Sequence, residues 1–180
     1  MTTKPIHQKG SSALLVIDVQ KEQFEKSTPV HHAEQLLQNI NFLIAKAREE
    51  GVPVFFVLHS ADSYLKYGSE GWQLHPQIQP LAGEPIIHKR HGNSFEDTNL
   101  QEELSKRGID VVVVTGMVTH GCVKATCLGA LEAGYRVALA GDAHSNFSKD
   151  AAKVIEKWNQ ELGSKGVLVV ETKSVSFQAD

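Results

Sequence analysis

The amino-acid sequence predicts a three-layer α/β/α sandwich around a six-stranded, mostly parallel sheet, and three observations carry that prediction. Six apolar runs of strand length punctuate the chain, several of them apolar at consecutive rather than alternate positions, as strands buried on both faces read. Most of the segments between them repeat apolar residues at helical spacing. Parallel neighbours need a crossover rather than a tight turn, and the crossover is usually a helix.

In chain order, "ALLVI" (13–17) is the first strand. The next segment, "HHAEQLLQNINFLIAKAREEG", sets Ala33, Leu36, Leu37, Ile40, Leu43, Ile44 and Ala47 on one helical face and stops at Gly51. "VPVFFVL" (52–58) is the second strand, its proline at the entrance, where a missing N–H is tolerated. A stretch rich in Gly, Ser and aromatic residues, 59–84, precedes a short third strand, "PIIHK" (85–89). "SFEDTNLQEELSKRG" predicts a helix over about 96–107, and "DVVVVTG" (110–116) is the most β-branched run in the chain. A helix over 120–134, the strand "YRVALAG" (135–141), an amphipathic helix over 148–162 and the strand "GVLVVE" (166–171) complete the pattern. With no internal repeat and no dividing linker, all 180 residues are expected to form one domain.

Composition narrows the function classes. At 41% hydrophobic and 22% charged the chain can bury a sizeable core. A net charge of −3 with scattered Lys and Arg offers no basic face, so no nucleic-acid partner is expected. The segment "MTTKPIHQKGSSALLVIDVQ" holds only a short apolar run closed by an aspartate, too short for a signal-peptide core or a membrane span. A cytoplasmic protein without membrane contact is the expectation. Cys122 and Cys127, five apart on one predicted helix, point to different faces, so both are expected to be free thiols. Neither G-x-x-x-x-G-K-[ST] nor G-x-G-x-x-G occurs, which removes the usual nucleotide sites.

Open parallel sheets bind ligands outside the carboxyl ends of their strands. Three predicted strands lead to reactive side chains there: the first ends in Asp18, the third in Lys89, and the fourth runs through "TGMVTHG" to Cys122. Singly, these are a turn residue, a solvated edge lysine and a small buried apolar group; together at one edge they make a coherent acyl-transfer site. A thiol with a pKa of about 8.5 becomes nucleophilic as its thiolate fraction rises, which a helix N-terminus and a nearby ammonium both favour. Asp18 would accept the thiol proton and return it to a leaving group, with N–H groups of the turn holding an oxyanion. Because an ionised Asp18 opposes a thiolate, Cys122 and Asp18 are expected to share one proton. Phe24, Trp72 and Phe95 are expected to wall the pocket, Phe95 reading equally as core, with Gln20 and Thr119 as further substrate contacts. His120, two residues from Cys122, does not face it on a helix and is expected at the rim, while Asp142 reads as a cap or brace.

"ALLVIDVQ" with Asp18, "IIHKRHGNSF" with Lys89 and "VVVVTGMVTHGCV" with Cys122, in this order between residue 13 and about 170, resemble the isochorismatase-like cysteine hydrolase superfamily, which includes nicotinamidase and N-carbamoylsarcosine amidase. The resemblance implies a strand order of 3-2-1-4-5-6 and a catalytic triad of Asp18, Lys89 and Cys122 working through a thioester. It also implies a cis Met117–Val118 peptide, an oxyanion hole made by the main-chain N–H groups of Val118 and Cys122, and a homo-oligomer. Nicotinamidases carry an Asp-x-His element and a further histidine after strand two. Here, in "HSADSYLKYGSEGWQLHPQ", Asp62 is followed by Ser63 and Tyr64, and His59 and His75 lack ligand spacing, so neither a metal nor another cofactor is expected. Isochorismatases cleave a vinyl ether without a cysteine nucleophile. Cys122 therefore points to a small-molecule amide, ureido or related C–N substrate, with a vinyl ether hydrolase and a non-catalytic or redox-thiol protein as alternatives.

Overall fold

A strand that is apolar at consecutive positions feeds two cores at once, because successive side chains point to opposite faces. In the computed structural model, which describes residues 11–178, this is what the strands do; the expectation for the first ten residues lies outside the described part. Six strands, β1 (Ser11–Ile17), β2 (Val54–His59), β3 (Ile86–Lys89), β4 (Ile109–Met117), β5 (Arg136–Ser145) and β6 (Leu168–Val170), form one sheet. Its order is β3-β2-β1-β4-β5-β6 and every pairing is parallel. The helices are α1 (Lys21–Phe24), α2 (Ala33–Glu49), α3 (Leu100–Lys106), α4 (Lys124–Glu132) and α5 (Ala151–Ser164).

Leu14, Val16, Phe56, Leu58 and Val113 belong to one core, closed by Leu36, Leu37, Ile40, Leu43 and Ile44 of α2. Ala13, Leu15, Ile17, Phe55, Val57, Val112 and Val114 belong to the other, closed by Leu100 and Leu104 of α3, Cys127 and Ala130 of α4 and Leu162 of α5. Each such Leu, Val or Phe contributes about 1.5–3 kcal/mol on full burial. That two-sided demand makes the sheet the rigid platform for whatever its edge carries.

The elements differ most from expectation in four places. The helix expected from residue 96 begins at Leu100, because Asn93, Ser94 and Thr98 first close a turn. Phe95 N–H donates to Asn93 Oδ1 at 3.0 Å and Thr98 Oγ1 donates to the Ser94 carbonyl at 2.6 Å, and such side-chain bonds compete with a helix. The short α1 carries too few residues to show a period. Strand β5 runs on to Ser145, since its pairing with β4 resumes after an irregularity, His144 opposite Gly116 and Ser145 opposite Met117. The helix expected from residue 120 starts at Lys124, preceded by a π-type turn, Thr119–Val123, in which Gly121 is non-helical (φ −114°, ψ −109°).

The chain leaves β1 toward β2 and β3 on one side and reaches β4, β5 and β6 on the other, so the carboxyl ends of β1 and β4 flank the switch point where ligands bind in such sheets. Gly116 makes the close approach there possible. It sits at φ +118°, and a Cβ would lie 2.1 Å from the Ile17 carbonyl oxygen, a contact and a conformation open only to glycine.

Candidate active site

Asp18 follows β1 directly. Its N–H donates to the Val57 carbonyl at 2.9 Å, and its φ of 51° lies in the left-handed region, which costs a non-glycine residue of order 1–3 kcal/mol and is held only by surrounding structure. That geometry turns the carboxylate inward, where Oδ2 accepts from Lys89 Nζ at 2.9 Å with both side chains out of solvent. The second oxygen, Oδ1, is buried without a partner. The same Lys89 ammonium, at the end of β3, lies 3.1 Å from Cys122 Sγ, 3.0 Å from the His91 carbonyl and 3.2 Å from His59 Nδ1. The ends of β1, β2 and β3 and the turn after β4 thus converge on one ammonium group.

Burial pushes the Cys122 thiol up to about 12, the Asp18 charge adding to the shift and the Lys89 charge opposing it. Burial is the largest single influence on the Lys89 ammonium and works against it, but Asp18 and Cys122 together overcome it and hold the pKa above the usual lysine range. Lys89 thus pulls toward the thiolate and Asp18 against it, as expected, and desolvation adds a larger push toward the thiol. Cys122 itself sits on the π-type turn ahead of α4. Cys127, fully buried in α4, is likewise free and is pushed up to about 12 by burial alone.

The turn itself is fixed from both ends. The Met117–Val118 peptide is cis. The N–H groups of Gly121 and Val123 both close on the Val118 carbonyl, at 3.0 and 3.3 Å, passing over the Cys122 N–H between them. From behind, Thr119 Oγ1 meets His144 Nδ1 at 2.9 Å, His144 Nε2 meets Asn159 Oδ1 at 2.8 Å, and Asn159 Nδ2 donates to the Gly141 carbonyl at 3.0 Å. Since Asn159 Oδ1 only accepts, Nε2 carries the proton and the Thr119 hydroxyl donates to Nδ1. Burial holds His144 below the usual histidine range, in keeping with that neutral tautomer.

Two of the expected substrate contacts are corrected by their partners. Gln20 is fully buried: its Nε2 donates to the carbonyls of His59 (2.9 Å) and Trp72 (2.7 Å), and its Oε1 accepts the His59 N–H (2.9 Å). Its amide braces β2 against the 59–84 stretch and is not free for a ligand. Thr119, fully buried, is occupied by His144 and by Asn146 Nδ2 at 3.3 Å. Phe95, partly buried, packs against the second core with its ring 5.5 Å from that of Tyr135. Phe24 and Trp72 stand at the margin of the first core, Phe24 against His75 at 4.6 Å and Trp72 stacked on His88 at 5.4 Å. His120 is exposed. Asp142 Oδ1 accepts from the Thr172 N–H and hydroxyl, both at 2.7 Å, as a brace does.

The sequence reading missed His59, Tyr64 and the His91 carbonyl. His59 ends β2 as Asp18 and Lys89 end their runs, the one signal that would have found it. Tyr64 stacks on His59 at 5.8 Å, and burial, then the charges of Cys122 and Asp18, raise its pKa. Lys26 lies 5.1 Å from the Tyr64 ring and 6.0 Å from that of Phe147, a cation between two aromatic faces.

Donor atoms of Asp18, His59 and Cys122 lie within 4.8 Å of one another, the spacing of a metal ligand set. The Lys89 ammonium contacts all three side chains, so the cation this cluster accommodates is the chain's own and the residues do not fit an added ion. Volume does not locate the chemistry. A cavity of about 730 Å³ lies at the opposite edge of the sheet among Ser12, Pro53, Pro85 and Ile109, whereas a smaller one of about 420 Å³ lined by Ser60, Tyr67, His88, Arg90, His91 and Asp97 adjoins the cluster.

A parallel doubly wound sheet with a carboxylate, an ammonium and a thiol in contact at its switch point belongs to the class of α/β cysteine hydrolases. The chain belongs to the isochorismatase family: residues 12–163 match the Isochorismatase domain. It is 35% identical over 138 residues to the isochorismatase family protein YddQ of Bacillus subtilis, covering 74% of this chain and 77% of that one. It is 30% identical over 155 residues to nicotinamidase 3 of Arabidopsis thaliana, covering 77% of this chain and 75% of the relative. Among solved structures, an isochorismatase from Pseudomonas putida superposes with a TM-score of 0.85 at 27% identity, over 97% of this chain and 94% of that one. The chain is accordingly a hydrolase. No helix among the described residues is long and apolar enough to cross a membrane.

Proposed function

We propose that the protein hydrolyses an amide or related C–N bond of a small molecule through a thioester on Cys122. One observation carries this reading: a single buried ammonium lies 2.9 Å from the Asp18 carboxylate and 3.1 Å from the Cys122 sulfur, while Asp18 Oδ1 has no partner of its own. Asp18 takes the thiol proton on Oδ1 as the sulfur attacks the carbonyl carbon, and Lys89 balances the charge that moves onto sulfur. The N–H groups of Val118 and Cys122 hold the oxyanion. The tetrahedral adduct collapses with cleavage of the C–N bond, and Asp18 delivers its proton to the leaving nitrogen. Water then attacks the thioester, Asp18 accepting its proton, and the C–S bond breaks with return of that proton to sulfur. A thiol that rests neutral suits this sequence, because the proton is removed only as the bond to carbon forms.

Lys26 narrows the substrate. It forms no ion pair among the described residues and lies over the Tyr64 ring, which stacks on His59, and this supports an amide bearing a carboxylate as the substrate. Ammonia release from a panel of amides, carbamoyl compounds and ureides, each with and without a carboxylate, tests the reading. Turnover of at least one member, abolished in Cys122→Ala, is expected. Undiminished turnover in Cys122→Ala would replace this mechanism with a cysteine-independent one such as vinyl ether hydrolysis.

A further inference from the structure

Lys89 carries three N–H hydrogens and faces four acceptors: Asp18 Oδ2 at 2.9 Å, the His91 carbonyl at 3.0 Å, Cys122 Sγ at 3.1 Å and His59 Nδ1 at 3.2 Å. One acceptor goes without at any moment. A carboxylate and a main-chain carbonyl facing an ammonium keep theirs, so the third hydrogen is contested between His59 and the sulfur. A neutral thiol sulfur is a weak acceptor and an imidazole nitrogen a good one; a thiolate reverses the ranking, because charge-assisted bonds are about twice as strong as neutral ones.

We propose that His59 is a positioning residue that holds the third hydrogen of Lys89 while Cys122 is a thiol and yields it to the sulfur as the thiolate forms. This rests on the reading of Cys122 as nucleophile. It deepens that reading by assigning a role to a histidine outside the triad.

The surroundings of His59 fit such a task. Its N–H and carbonyl are both clamped by the Gln20 amide, at 2.9 Å each, and its ring is backed by Tyr64. The clamp fixes the main chain from which the imidazole projects, and the ring itself is buried beside the ammonium. Facing an ammonium, which only donates, Nδ1 must be the bare nitrogen and Nε2 the protonated one. The groups around it act in both directions: burial first, then the Lys89 charge and last that of Arg90, lower its pKa from the usual 6.5, while Asp18 and a hydrogen bond to the His91 main chain raise it, and the net lowering leaves the ring neutral at pH 7. Cys122 and the Tyr64 hydroxyl, both neutral at that pH, are the remaining titratable neighbours. When the thiol proton passes to Asp18 Oδ1, no covalent bond at Lys89 changes. One hydrogen turns from Nδ1 toward the new anion, and His59 has limited premature thiolate formation without blocking it.

The consequence runs against intuition, since deleting a group near the nucleophile makes the nucleophile more reactive. In His59→Phe the ring is kept and the acceptor lost, so the third hydrogen goes to sulfur permanently. Alkylation of Cys122 by iodoacetamide, followed by peptide mass spectrometry, should become about tenfold faster at any pH below the midpoint, a midpoint lower by about one unit. His59→Asn restores an acceptor near the Nδ1 position and cannot titrate, so it should follow the wild-type pH profile. An unchanged profile in His59→Phe, or a His59→Asn profile displaced as far as that of His59→Phe, would overturn the proposal. The wild-type protein supplies a test that does not depend on either variant folding. With 15N-labelled histidine, the His59 signals at pH 7 should show a bare Nδ1 and a protonated Nε2, and a protonated Nδ1 would overturn the proposal outright. All of these measurements are made without substrate, so a failure of the amidase reading is registered separately, in the panel assay.

Discussion

At the scale of residues, the site is a buried ion pair with a thiol leaning on it. Asp18 and Lys89 are out of solvent, so removing one partner leaves an uncompensated charge, which costs about 3–5 kcal/mol. Lys89→Met and Asp18→Asn should therefore each lower stability by roughly that amount at pH 7, and the double variant should recover most of the loss. Urea denaturation of the four proteins checks this; additive losses in the double variant would mean that the two groups are not paired. Lys89→Met should also slow alkylation of Cys122 about tenfold or more at fixed pH, because the ammonium 3.1 Å from sulfur is the one group in the cluster that favours its anion. Asp18 and Lys89 were legible in the sequence because each stands where an apolar run stops, and Cys122 because it closes the break that follows one. Gln20 and Thr119 were misread for a physical reason: their partners, His59, Trp72, His144 and Asn146, lie 25 or more residues away, and no periodicity along the chain reports such pairings.

At the scale of elements, function depends on how β1 and β4 end. Gly116 lets the two strands close on each other, and the turn Thr119–Val123 then places Cys122 opposite Asp18. Gly116→Ala puts a Cβ within 2.1 Å of the Ile17 carbonyl at a φ of +118°. It should destabilise the fold by more than about 3 kcal/mol and abolish turnover, whereas Gly134→Ala, with positive φ but open space around it, should cost only about 1–2 kcal/mol. Thermal melts of the two variants separate the steric effect from the conformational one. The strand order and helix positions were foreshadowed by runs and periods in the sequence. The π-type turn was not, since "GMVTHG" followed by a small-residue helix reads as an ordinary helix start, and only the His144 to Asn159 network behind it shows why the helix waits until Lys124.

At the scale of the whole molecule, the buried titratable groups set the pH range in which the fold holds. Burial lowers His59 and His144 below 6.5, so in that window the unfolded chain binds more protons than the folded one and stability falls as pH drops. Cys122 and Cys127, pushed from about 9 up to about 12, act at the other end. There the unfolded thiols ionise first, and stability falls as pH rises from about 9, by up to about 1.4 kcal/mol per pH unit for each fully buried thiol. Denaturation midpoints should thus be highest between roughly pH 7 and 9, and Cys127→Ala should flatten the alkaline limb without moving the acidic one. The most direct test of the mechanism is mass spectrometry of enzyme acid-quenched during turnover of an amide from the panel. The expected result is the Cys122 peptide heavier by the acyl group of the substrate; wild-type turnover with Cys122 unmodified throughout, matched by full activity in Cys122→Ala, would contradict it.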